Sequence, residues 1–177
     1  QVGAFTPQVI QGFDPSQLSE LDPAAFEGFS KNQGGAFKPE AIQGFEPEQL
    51  LELVPSAFEG FSKEQVGAFK PEAIQGFESD QLVSLQPAVF KGFSSNQISA
   101  FKPEAFSSFT SQTLRRIKPS AMPGLLAEQV TKIEDELFGA LKPKQLGKMT
   151  AEAFGGVDAG QFNALAKKQL KKIDDEK

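Results

Sequence analysis

A period of eight residues runs the length of the chain without one insertion, and it restricts the possible folds more than any other feature. With Phe5 as position one, every eighth residue as far as Ile173 is apolar, in all 22 copies. Position six, from Ile10 to Leu170, is apolar in 20 of 21 copies, with Gly34 the gap. All 18 phenylalanines fall at these two positions. A single amphipathic helix or strand would not segregate one residue type so completely. A fixed period over the whole length marks a repeat array, whose units bury their apolar side chains only against one another.

The unit reads as a short capped helix. Eleven of the 12 prolines stand at position three, which blocks a continuous helix but suits the first residue of a new one. Position two is then the N-cap, and it is Ser, Thr or Asp in ten of 22 units, among them Thr6, Asp14, Ser30, Ser62 and Asp158. Positions one and six become the two ends of a hydrophobic staple. Lys38, Lys70, Lys102, Lys118 and Lys142 break the capping rule, because an ammonium cannot accept an amide proton, so those helix starts need another partner.

Two kinds of unit alternate. Odd units, counted from Phe5, end in glycine at position eight in eight of the ten that lie within residues 1–164, with Ser108 and Ala140 the exceptions; this predicts left-handed helix C-caps. Even units carry glutamine at position five in nine of ten cases, with Thr113 the exception, and with Ser or Asp at position two this forms a capping box. A weaker period of 32 suggests either four units per superhelical turn or duplication of a 32-residue block.

Each unit leaves about five residues for helix, far below the roughly 12 to 15 that an isolated helix needs in water. Neighbours must supply the stability. The predicted fold class is therefore all-α, a solenoid of short helices built from about 22 octads, with residues 1–164 as the regular array and 165–177 as a degenerate, charged capping repeat. A β-solenoid is the structural alternative, disfavoured by proline at the helix start and by few β-branched residues. Gln1-Val2-Gly3-Ala4 matches the second half of the unit at Gln65-Val66-Gly67-Ala68, which suggests that the chain is a segment of something longer.

Composition narrows function. There is no His, Cys, Trp or Tyr, so the side chains most used for nucleophilic, acid-base and metal chemistry near neutral pH are missing; no enzyme activity, cofactor or metal is expected. A carboxylate mechanism is the surviving catalytic rival, but the acids are spread over positions two, four and seven. Net charge −5 argues against nucleic acid as a partner, and no apolar run is long enough to span a membrane. Zero cysteines fit a reducing or an oxidising compartment. Residues 1–100 hold 5 basic and 13 acidic groups, whereas 101–177 hold 13 basic and 10 acidic, a polarity that would permit end-to-end self-association.

Units such as Phe61-Ser62-Lys63-Glu64-Gln65-Val66-Gly67-Ala68 and Leu125-Leu126-Ala127-Glu128-Gln129-Val130-Thr131-Lys132 resemble the octapeptide arrays, of the type Leu-Thr-x-x-Gln-(Ile or Val)-x-Ala, of large surface-exposed or secreted repeat proteins. The likeness covers essentially the whole chain. It implies a short-helix solenoid used as a stalk, spacer or adhesive segment, extracellular or at the cell surface, with other proteins or extracellular glycans as partners. It transfers no catalytic or binding residues. This chain differs in placing Phe where those arrays favour Leu, and in alternating its two kinds of unit.

The most regular polar feature is the row Gln17, Gln33, Gln49, Gln65, Gln81 and Gln97, which stacked turns would align into a ladder. Backbone bonding between turns is its structural explanation, and recognition of a sugar or peptide its functional one. Gly155-Gly156-Val157-Asp158-Ala159-Gly160 looks superficially like a calcium-binding repeat but occurs once. Glu134-Asp135-Glu136 reads as a solvated helix start rather than a metal site. Ser99 and Lys102 have the spacing of some acyl enzymes but straddle a unit boundary. Mixed Lys, Glu and Ser on the outward positions argue against an ice-binding face. Gly34 is expected to leave a void, so that Gly34→Val would stabilise.

Overall fold

An extended cap and an apolar residue at N4 set most helices going, with proline at N1 in half of the octads. The computed structural model describes residues 5–176, and of these the side chains of Lys172, Asp174, Asp175 and Glu176 lie outside the description. So do residues 1–4 and 177, which carry the partial opening unit. Most helices are four to six residues long, for example Pro39–Ile42, Lys63–Ala68 and Ser79–Ser84. Among the described residues there is no strand; an isolated bridge joins Glu27 and Leu53.

Successive helices turn steadily, so that each packs on helices three units away: Pro39–Ile42 on Lys63–Ala68, and Pro55–Phe58 on Ser79–Ser84. Hydrogen bonds and ring contacts between adjacent turns join residues 19 to 31 apart, as in Phe26–Phe45, Phe45–Phe69 and Gln81 to Leu50. Between three and four octads therefore close one turn, short of the four that the 32-residue period suggests. Because three is odd, an odd unit always lies on an even one. This accounts for the alternation, since the two kinds are the two halves of each packed helix pair, while the glutamine side chains also reach the even unit four octads back, as from Gln81 to Leu50.

Positions one and six line one continuous core. Position six is almost wholly buried from Ile10 to Leu146, and position one from Phe29 to Met149. Phenylalanine rings run through it in edge and tilted contacts, with centroids 4.8 Å apart for Phe106 and Phe109 and 5.1 Å for Phe37 and Phe45. Phe162 departs from the rule: it occupies position six yet is 53% exposed. The final helix, Lys167–Glu176, is the longest among the described residues at ten residues, and it packs on Pro143–Lys148. Leu165 and Gln169 at its start remain buried and keep the octad pattern.

The glycines at position eight correct the sequence reading. Only Gly28, with φ 75°, adopts the left-handed conformation among the described residues. At Gly44, Gly60, Gly76, Gly92, Gly124 and Gly156 the reason is room instead. A Cβ at any of them would fall on the position-three carbonyl of an even unit 29 residues earlier, as at Pro15 for Gly44 and Pro47 for Gly76. Glycine is where the backbones of two turns touch. Gly34 is corrected in the same way. No void surrounds it, because a Cβ there would strike the Ala57 carbonyl and come within 3.2 Å of the Phe61 ring.

Four odd units, Pro23–Phe26, Pro87–Lys91, Pro103–Ser108 and Pro119–Gly124, wind as 3-10 helices. They close with i to i+3 bonds, as from the Ala105 N–H to the Lys102 carbonyl. The same bond answers the question raised by the lysine caps: the Lys38 and Lys118 carbonyls accept from Ala41 and Ala121, while proline removes the first orphan donor.

Candidate functional site

The glutamine row is structural in its bonding throughout the middle of the chain. Gln49, Gln65, Gln81 and Gln97 are buried, and each carboxamide makes three bonds. In Gln81 the Oε1 accepts the Glu78 N–H at 2.9 Å, while Nε2 donates to the Leu50 carbonyl at 2.8 Å and the Leu53 carbonyl at 2.7 Å. One end caps its own helix and the other pins the turn 28 to 31 residues back. The pattern repeats in Gln49, Gln65 and Gln97, and again in Gln129, Gln145 and Gln161. Gln33 is half-buried and donates to the Phe5 carbonyl at 2.9 Å. Gln17, exposed in the first turn, accepts from the Asp14 N–H at 3.1 Å. The row also extends to Gln169, whose Nε2 reaches the Gly139 and Leu141 carbonyls. Its signal, glutamine at position five, was present in an odd unit that the alternation rule passes over.

Thr113 interrupts the ladder. Its hydroxyl keeps the local half of the pattern, accepting from the Thr110 N–H at 2.9 Å and donating to the Thr110 carbonyl at 3.0 Å. It is too short for the other half. Leu82 and Leu85, whose carbonyls would take the missing carboxamide, receive no side-chain donor among the described residues. A recess of about 150 Å³ opens there, lined by Leu82, Leu85, Phe90, Phe109 and Thr113 and reaching Pro87 and Gln112.

Next to this recess lies a cleft of about 600 Å³ that nothing in a single stretch of sequence foretold. It is lined by the cations Lys91, Arg115, Arg116, Lys118, Lys142, Lys144 and Lys168 together with the apolar Ile117, Pro119 and Pro143. No carboxylate lines it. The available signal was a cation recurring at 24 residues, in the pairs 91 and 115, 118 and 142, and 144 and 168. That spacing becomes meaningful only once three octads are known to separate stacked units.

The remaining sequence candidates do not converge. Asp158 caps its helix by accepting from the Gln161 N–H at 2.8 Å, and Gly156 is packed on the Ala127 carbonyl. Ser99 donates to Asn96, while the Lys102 ammonium lies 3.2 Å from Glu78. Glu134, Asp135 and Glu136 are exposed at a helix start. Among the described residues no group of three or more acidic side chains is placed to hold a metal, and no helix is long and apolar enough to cross a membrane. No protein-family model matches the chain, and no curated protein is similar to it in sequence.

Proposed function

We propose that this chain is a structural or adhesive repeat region, a stalk, spacer or scaffold within a larger surface or secreted protein, and that it is not an enzyme. The observation that supports this reading is where the interior polar groups go. Among the described residues no buried side-chain nitrogen or oxygen lacks a hydrogen-bond partner. The most regular of these groups, the glutamine amides, are consumed in joining turn to turn. A core spent on continuity from one turn to the next suits a part that holds a distance or presents a surface.

Spacing is measurable directly. Spin labels at the exposed positions Glu20 and Asn163 should give one narrow distance distribution. Deleting the eight octads 45–108, which preserves the alternation of units, should shorten it by somewhat more than two turns, roughly 20 Å at about 8 to 10 Å per packed helix layer. A broad distribution, or no shortening, would sink the spacer reading. Antibody labelling of intact cells of the source organism should succeed without permeabilisation; labelling confined to permeabilised cells would remove the surface assignment. A second reading, a module that binds a protein or glycan on one face, is favoured by the cationic cleft.

A further inference from the structure

We propose that the cleft bounded by Arg115, Arg116, Lys118, Lys142 and Lys144 binds a sulfated polysaccharide chain. The inference rests on the binding-module reading, and it deepens that reading by naming the ligand class. Elsewhere on the solenoid, stacking places acid against base one turn apart: Lys31 with Glu59 at 3.8 Å, Lys102 with Glu78 at 3.2 Å, Lys132 with Glu104 at 3.8 Å. In the cleft the same stacking of units 24 residues apart brings base to base, Lys118 with Lys142 and Lys144 with Lys168, all lining one cavity. None of the seven cations has a carboxylate within ion-pair distance among the described residues. A chain of net charge −5 has no general excess of cations to scatter, so the concentration is local, and a concave setting focuses its field on an anion.

The occupant is narrowed by what the cleft lacks and by what adjoins it. No aromatic side chain lines it, and 18 phenylalanines supply the whole aromatic content at core positions, so bases would find no stacking platform. A membrane surface would need an exposed apolar wedge, and the apolar residues that line this cavity are buried or half-buried. A sulfated sugar chain fits these features: fixed anionic groups for the ammonium and guanidinium cations, and pyranose C–H faces for the half-buried Pro119 and Pro143.

The test is titration of the full chain with a fluorescent heparin octasaccharide at 150 mM NaCl. Micromolar or tighter binding is expected, lost when the sugar is fully desulfated. Lys142→Gln with Lys144→Gln should weaken it at least tenfold and lower the slope of log affinity against log salt by between one and two. Arg115→Gln with Arg116→Gln provides an independent second pair, and circular dichroism confirms that each variant is folded. Lys38→Gln with Lys70→Gln, which change equivalent caps outside the cleft, should leave affinity within twofold. Absence of binding, undiminished binding by both folded cleft variants, or equal or tighter binding of a single-stranded oligonucleotide of matched length would overturn the proposal. None of those outcomes touches the label-distance measurement, so the spacer reading stands or falls separately.

Discussion

A glutamine at position five of an even unit works because one planar amide presents an acceptor and two donors in fixed opposition. Glutamate keeps the acceptor and loses both donors, asparagine is a methylene short, and threonine at position 113 manages only the local half. In Gln81→Glu a buried carboxylate would face the Leu50 and Leu53 carbonyls, which raises its folded pKa above the unfolded value. Its destabilisation is therefore largest above that folded pKa and recedes as pH falls and the acid recovers one donor. Thermal melts should show the variant far below the parent at pH 7 and closer at pH 4; an equal gap at both would refute the bonding role. Thr113→Gln runs the other way. It supplies the missing bonds and fills the recess, and is expected to stabilise by about 1 kcal/mol. Gly34→Val should destabilise by about 2 kcal/mol or more, because the Ala57 backbone has no room to retreat, and denaturant midpoints would reveal a gain if that is mistaken.

At the scale of the helix, local rules carry most of the outcome. The lysine-capped starts already have extended caps, φ −64° and ψ 147° at Lys70, so Lys70→Asp needs no backbone change to add an acceptor. A rise in stability of about 1 kcal/mol is expected by denaturant titration, and an unchanged midpoint would mean that the Ala73 amide is unavailable to it. Caps, N1 prolines and staples were legible in the sequence because each is decided within five residues of chain. The reason for the position-eight glycines was not. Sequence shows that Gly76 has no side chain; only the meeting of two backbones 29 residues apart shows that none would fit at Pro47. The absence of a void at Gly34 was hidden for the same cause, since it depends on how closely one turn settles on the next. The cationic cleft was hidden behind the turn length, which no residue specifies by itself.

For the whole molecule, the decisive quantity is how far along the chain an interaction reaches. The glutamine bonds between turns span no more than 31 residues, so a turn draws its stability from the turns directly above and below it. Stability is then close to a sum over neighbouring turns, and no distant part of the array is required for another to fold. A fragment of residues 1–108, thirteen complete octads from Phe5 onward, keeps several intact interfaces between turns while exposing one apolar edge. It should retain the helical circular dichroism per residue of the full chain and melt at a lower temperature, because ordering a terminal turn gains contacts on one side only. If the fragment were unfolded at low temperature, the turns would have to be coupled through something longer in range than the contacts just described. The solenoid would then be one cooperative unit, and a spacer built from it could not be shortened by whole units without losing its fold.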